Sequence, residues 1–137
     1  MKGFRDLKCW NKADSFRIAC FSLTASFPEE EKYRLKDQLI RSSRSIANSI
    51  AEGYGRFHYQ ESIQFCRIAR GSLEESLDHL IVARSCQYLS NVEFDKMEEQ
   101  YKEILRLLNG YISYLGSQKK FNSTTNPPIS KSTNPLS

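Results

Sequence analysis

Arginine is the residue type in this chain whose number and spacing suggest chemistry. Arg41 and Arg44 lie three residues apart in one apolar-periodic segment, Arg67 and Arg70 repeat that spacing in the next, and Arg56 lies between the pairs. A guanidinium group binds two phosphate oxygens at once, and each phosphate that is neutralised releases counterions from a nucleic acid. We therefore interpret these five arginines as candidate contacts to the phosphate backbone of RNA or DNA.

Charge distribution and aromatic residues support this interpretation more than the total charge does. The net charge is only +4, but six Lys or Arg residues stand between positions 32 and 56 against two carboxylates, and an acidic segment follows at positions 93–103. One side of the molecule should therefore be basic and another acidic. Tyr54, Phe57 and Tyr59 flank Arg56, and exposed rings can stack on unpaired bases.

A competing interpretation assigns the arginines to the structure of the protein itself. Arg44 or Arg70 could form a buried inter-helix salt bridge with Glu52, Glu74 or Glu75. Both interpretations remain open for each single arginine. For the cluster as a whole we favour phosphate binding.

The remaining reactive residue types do not indicate an enzyme. The two histidines, His58 and His79, have no neighbouring nucleophile or Glu-x-x-His spacing, and the four cysteines are scattered singly. We therefore predict no catalytic residues, metal site, cofactor or small-molecule substrate. Free thiols, a charged amino terminus and the lack of a membrane-length apolar run together predict a cytoplasmic protein that does not enter the membrane.

Four segments show the three- and four-residue apolar spacing of amphipathic helices. The first is predicted over residues 5–26, and the second to end at Gly53, which we expect to cap it with left-handed backbone. The third is predicted over residues 59–88. A capping box at residues 90–93 begins the fourth. Its seam is the most regular in the chain: Phe94, Met97, Tyr101, Ile104, Leu108, Tyr111 and Leu115.

Short connections between long amphipathic helices predict an all-α fold, an antiparallel up-down-up-down four-helix bundle. We assign residues 1–117 to this bundle and residues 118–137 to a disordered tail rich in Ser, Thr, Asn and Pro. Apolar residues outside the seams, such as Ile18, Phe21 and Ile68, indicate either a broad core-facing surface or a second interface that makes an oligomer.

Three motifs, in order along the chain, resemble those of a known family. Phe4-Arg5-Asp6-Leu7-Lys8 opens the chain, Ile50-Ala51-Glu52-Gly53 with Gly55-Arg56 follows, and Ile68-Ala69-Arg70-Gly71-Ser72-Leu73 is the third. Together they resemble the small bacterial four-helix bundle proteins encoded by intervening sequences within 23S ribosomal RNA genes. The resemblance covers about residues 4–115.

The resemblance implies a fold and an assembly rather than an activity. Members of this family are similar to the accessory variability determinant of diversity-generating retroelements, a basic, ring-shaped homopentamer that binds nucleic acid and a reverse transcriptase. By this analogy we expect a homo-oligomer, most simply a pentamer, with RNA or DNA as a further partner. The alternative function is a protein-interaction or structural scaffold that does not bind nucleic acid.

Overall fold

The computed structural model describes residues 3–122, which fold into four α-helices joined by short connections. The helices are α1, Lys8–Thr24; α2, Leu35–Tyr54; α3, Tyr59–Ser85; and α4, Asn91–Asn122. Single 3-10 turns lie at Phe4–Asp6 before α1 and at Glu29–Glu31 before α2. Residues 3–122 contain no strand, so the prediction of an all-α bundle of four helices is confirmed.

The four helices form a ring in which each packs against the next along the chain and α4 returns to α1. Among the described residues, α1 and α3 lie on one diagonal of the ring and α2 and α4 on the other. Ser45 of α2 contacts Ser72 of α3, and Ser42 contacts Ser76. From the first of these contacts to the second, the residue number decreases on α2 and increases on α3, so these two helices are antiparallel.

The apolar seams meet on the axis of this ring, as their spacing predicted. The apolar stripe of α2, which consists of Leu35, Leu39, Ile46 and Ile50, is buried along its whole length. In α4 the seam from Phe94 to Leu115 is buried except at Tyr101, whose half-buried ring directs its hydroxyl to Glu74 of α3. Side chains that are completely enclosed include Phe16, Leu39, Ile46, Leu73 and Leu108. This continuous core accounts for most of the fold's stability.

Small hydroxyl side chains line the contact between α2 and α3. The Ser42 and Ser76 hydroxyls lie 2.8 Å apart, and the Ser72 hydroxyl donates to that of Ser45 at the same distance. Ser62 of α3 donates to the backbone carbonyl of Gly53 at 2.8 Å. Because serine and glycine project little from a helix, the two backbones approach closely while the buried hydroxyls keep hydrogen-bond partners.

The expectation that Gly53 caps α2 with left-handed backbone is wrong. The helix continues through Gly53 to Tyr54, and no glycine among residues 3–122 adopts the left-handed conformation. Gly53 is instead buried against α3, where an added Cβ would lie 2.7 Å from Cβ of Phe65 and 3.2 Å from the carbonyl oxygen of Ser62. The position needs glycine for space, not for backbone conformation.

The bounds of α1 and α3 differ from the sequence-based ones. α1 covers Lys8–Thr24 rather than residues 5–26, because a 3-10 turn precedes it and the next connection begins at Ala25. α3 stops at Ser85, three residues early. It is closed by Gln87 at a φ of 64° and by a hydrogen bond from the Tyr88 amide to the Ala83 carbonyl at 2.8 Å.

The fourth helix begins where it was predicted to begin and ends later. The Ser90 hydroxyl accepts from the Glu93 amide at 3.0 Å, and the Glu93 carboxylate accepts from the Ser90 amide at 2.9 Å, which confirms the capping box. α4 continues to Asn122, so residues 118–122, which we had assigned to the tail, are helical. The rest of the predicted tail, residues 123–137, lies outside the described residues.

Replacing Gly53 by alanine should destabilise the protein, whereas the same change at Gly71 should stabilise it. The new methyl at position 53 would collide with Phe65, and overpacking of this kind typically costs about 1–3 kcal/mol. Gly71 lies inside α3 with nothing within 4 Å of an added Cβ, so the better helix propensity of alanine should add about 0.5–1 kcal/mol.

Urea denaturation of both variants measures these free energies of unfolding directly. The Gly71→Ala variant is the matched control, because it makes the same chemical change in a helix at an unobstructed position. Equal effects of the same sign at the two positions would contradict the packing that we describe around Gly53.

Candidate nucleic-acid interface

Arg41 and Arg44 are exposed on α2, and Arg44 borders the groove between α1 and α2. Arg41 lies on the outer surface with Nη1 3.6 Å from Oδ2 of Asp37, one turn earlier. Arg44 is exposed and lines a shallow groove with Arg17, Ile18 and Phe21 of α1; no hydrogen bond or ion pair within the described part of the chain engages it. An exposed ion pair such as that of Arg41 contributes little, so both guanidinium groups are available to a ligand.

Arg17 is a residue of this groove that the sequence analysis did not single out. Its guanidinium group donates to Oδ1 of Asp14 at 2.9 Å and to Oδ1 of Asn48 on α2 at 3.3 Å, and it lies 5.7 Å from the centre of the Trp10 ring. Arg17 is thus fixed between α1 and α2, close to Arg44. Its position next to two apolar residues off the seam, at 18 and 21, is the sequence signal that could have identified it.

Arg56 occupies the turn between α2 and α3, at one end of the bundle. Its guanidinium carbon lies 4.6 Å from the centre of the Phe65 ring, which holds the exposed side chain against α3. Of the three nearby rings that we considered for base stacking, Tyr59 is buried and Tyr54 half-buried. Only Phe57, with 72% of its surface exposed, presents its ring to solvent.

Arg67 and Arg70 lie on the side of α3 that faces α4. Nη1 of Arg70 donates to Oδ1 of Asn109 on α4 at 2.8 Å, and Arg67 is exposed one turn earlier on the same face. The α3–α4 and α1–α2 pairs are opposite sides of the four-helix ring. The structure therefore places the five arginines at three locations: Arg41 with Arg44, Arg67 with Arg70, and Arg56 alone.

Two of the three carboxylates proposed as salt-bridge partners have other neighbours. Glu74 accepts a hydrogen bond from the Tyr101 hydroxyl at 2.6 Å, and Glu75 lies 3.1 Å from His79. Burial, together with the bond to Glu74, raises the pKa of Tyr101 to about 12, so this phenol stays protonated as the donor. Within residues 3–122, no ion pair joins Arg44 or Arg70 to Glu52, Glu74 or Glu75.

The acidic segment of the chain lies across the ring from the arginines of α2. It occupies the first half of α4, which is diagonal to α2. Part of this segment is engaged locally: Glu103 lies 3.6 Å from Lys12 of α1, and Glu99 lies 3.5 Å from Lys102. The predicted separation of a basic and an acidic side therefore follows from the positions of α2 and α4 in the bundle.

Three of the four cysteines are enclosed in the core. Cys9, Cys20 and Cys66 are buried free thiols, whereas Cys86 is exposed just after α3. Burial raises the pKa of Cys9 and of Cys20 to about 12, so both remain protonated and unreactive at neutral pH. Within the described residues, no group of three or more His, Cys, Asp or Glu side chains could hold a metal ion.

No helix within residues 3–122 combines the length and the apolar character needed to cross a bilayer.

Comparison with known proteins identifies a family and a related fold. The family model of the 23S rRNA-intervening sequence protein matches residues 5–110 of the chain. A crystal structure of a protein of unknown function, from the S23 ribosomal protein family of Bacteroides thetaiotaomicron VPI-5482, superimposes with a TM-score of 0.68 at 20% identity. The alignment covers 76% of this chain and 97% of that one. No curated protein matches the chain.

Alkylation of the native protein at neutral pH should modify Cys86 and leave Cys9, Cys20 and Cys66 unmodified. The three buried thiols are inaccessible, and protonation suppresses the reactivity of Cys9 and Cys20 further. Peptide mass spectrometry after iodoacetamide treatment, with a sample alkylated in denaturant as the control, locates the modified residues. Rapid modification of Cys9 or Cys20 in the native state would contradict the packing of the core.

Proposed function

The chain belongs to the family of 23S rRNA-intervening sequence proteins, and we propose that it is a non-enzymatic, self-associating helical bundle that binds the backbone of RNA or DNA. The observation that carries this proposal is the pair of exposed guanidinium groups of Arg41 and Arg44 on the outer surface of α2. Arg41 makes only an exposed ion pair with Asp37, and Arg44 makes none within the described residues.

The surface around these arginines suits phosphate better than a small molecule. Arg41 and Arg44 stand one turn apart, and Arg17 is held beside them by Asp14 and Asn48. Successive cations along a helix can neutralise successive phosphates of a backbone, which gives affinity that depends steeply on salt and little on sequence.

We propose a non-enzymatic role because of the state of the reactive groups. The Cys9 and Cys20 thiols are protonated and buried, and His79 is engaged with Glu75 on the surface of α3. His58 is exposed in the α2–α3 turn. A nucleophile needs an adjacent base to be activated, and none of these groups has that arrangement. The proposal also includes a cytoplasmic location, where free thiols remain reduced.

Self-association is proposed on the exposed apolar residues of α1. Ile18 and Phe21 are 59% and 57% exposed and lie next to each other on the surface of the α1–α2 groove. Adjacent exposed apolar side chains of this size are typical of protein interfaces. The homopentamer implied by the family resemblance is the assembly that we propose. The same residues favour the second candidate function, an interaction scaffold whose arginines serve only subunit contacts.

Changing Arg41 and Arg44 together to glutamate should weaken binding to unrelated RNA and DNA sequences alike. The phosphates would lose two cations and meet two carboxylates, and for the unmodified protein log affinity should fall with log salt by about 0.7–0.9 per phosphate neutralised. Fluorescence anisotropy of labelled oligonucleotides at two salt concentrations measures both effects. Circular dichroism and light scattering should show an unchanged fold and mass.

A matched control makes the same charge change on the acidic side of the bundle. Lys96→Glu with Lys102→Glu alters the net charge equally on α4, diagonal to α2, and should affect binding much less. No binding at low salt, or normal binding by the Arg41/Arg44 variant, would favour the scaffold. Loss of the fold or of the assembly in that variant would assign the two arginines a structural role.

Light scattering of the purified protein should give about five times the 15.9 kDa chain mass at micromolar concentration. Replacing Ile18 and Phe21 together by serine should lower that mass, because the apolar contact between subunits would be lost. Val92→Ser, an equally exposed apolar position on α4, is the control and should leave the mass unchanged. A monomeric unmodified protein would contradict self-association.

A further inference from the structure

One end of the bundle gathers cationic side chains from three separate parts of the chain. At this end α1 begins, α2 ends, α3 begins and α4 ends. We call it the basic end; its cationic residues are Arg5, Lys8, Arg56, Lys119 and Lys120. Against these five stand the carboxylates of Asp6, Glu52 and Glu61. The cationic surplus is therefore assembled by the fold and does not appear as a run in the sequence.

The end of α4 belongs to this surface because of its register on α3. Arg70 of α3 contacts Asn109 of α4, and Gln60 of α3 accepts a hydrogen bond from Lys119 of α4. The second contact lies ten residues earlier on α3 and ten residues later on α4 than the first, so the two helices are antiparallel and in constant register. The same antiparallel register brings Phe121 level with the residues that precede α3. The exposed rings of Phe57 and Phe121 therefore stand at the same end of the molecule.

Neither ring contributes to the core. Phe57 is 72% exposed in the α2–α3 turn and Phe121 is 80% exposed on the last turn of α4. Each follows a cationic neighbour in the sequence, Arg56 and Lys120 respectively. An exposed phenylalanine gains nothing from the fold, whereas a ring beside a cation can stack on a base while the cation contacts the adjoining phosphate.

The opposite end of the bundle differs in its charge. There Tyr33 is 83% exposed and lies against Lys32, but the preceding residues are Glu29, Glu30 and Glu31. An exposed ring is thus present at both ends of the bundle. Within residues 3–122, two such rings coincide with a surplus of cations only at the basic end.

We infer that the basic end is a binding site for single-stranded nucleic acid, in which Phe57 and Phe121 stack on unpaired bases and Arg56 and Lys119 contact phosphates. This inference rests on the proposed function and specifies its ligand. A duplex keeps the faces of its bases inside the stack, whereas a single strand exposes them to aromatic side chains. Stacking and phosphate contact are common to RNA and DNA, so the site accepts either.

The test compares one labelled oligonucleotide of mixed sequence as single-stranded RNA, as single-stranded DNA and as a DNA duplex. Anisotropy titrations of the full-length protein at low salt should show tighter binding of both single strands than of the duplex. Phe57→Ala and Phe121→Ala should each weaken single-strand binding by at least about fivefold, because stacking on one ring is lost. Duplex binding should change little in either variant.

Tyr33→Ala is the matched control, since it removes an equally exposed ring from the other end of the bundle and should leave all three affinities unchanged. Circular dichroism checks that each variant is folded, which the exposure of the three rings leads us to expect. Equal loss in the Tyr33 variant, or unchanged single-strand binding by the Phe57/Phe121 double variant, would overturn the inference.

The same titrations separate this inference from the broader proposal. If the protein binds single strands and duplex equally, and only the Arg41/Arg44 variant is impaired, backbone binding stands and the base-stacking site is overturned. If no oligonucleotide binds at low salt, both are overturned. Selective loss of single-strand affinity in the two phenylalanine variants supports both.

Discussion

Gly53 and Phe65 meet so closely that the α2 backbone leaves room at this point only for a hydrogen atom. This contact, together with the serine hydrogen bonds between α2 and α3, sets the spacing and register of the two helices. The remaining positions depend on that register. It places the α2–α3 turn, with Arg56 and Phe57, at one end of the bundle. It also leaves the side of α3 that faces away from α2 available for packing against α4.

The surface chemistry follows from this arrangement of helices. Since α2 and α4 lie diagonally, the arginines of α2 and the carboxylates of α4 are kept apart without any long-range pairing between them. Ile18 and Phe21, the large exposed apolar residues of α1, then border Arg17 and Arg44. A single face thus combines exposed hydrocarbon and guanidinium groups, while the end of the bundle combines exposed rings and cations. The two surfaces offer different contacts to one partner or separate contacts to two.

Much of the fold could be predicted from the sequence, because apolar spacing and capping residues act over a few positions. The buried stripe of α2, the seam of α4 and the Ser90 cap are of this kind. The role of Gly53 could not be predicted, since a glycine near the end of a helix looks the same whether it turns the chain or admits Phe65. The extension of α4 was missed for a related reason: residues 118–122 are polar apart from Phe121, yet contain no glycine or proline that would stop a helix.

The candidate site was less predictable than the fold. Residue types and one-turn spacings correctly paired Arg41 with Arg44 and Arg67 with Arg70, because that relation is local to a helix. Which groove each pair borders depends on how the helices are rotated about their axes, and contacts such as Arg70 with Asn109 join residues that are far apart in sequence. The same holds for Lys119, whose contact with Gln60 is set by the register of two long helices.

The connectivity of the ring also bears on how the protein folds and opens. Each helix packs on the next through a short connection, so these three contacts form with little loss of chain entropy. The contact between α1 and α4 joins the two helices that are farthest apart in the sequence, and it is the least extensive of the four helix–helix contacts. The bundle should therefore open first along this seam, exposing Leu23 and Met97 while α2 and α3 stay together.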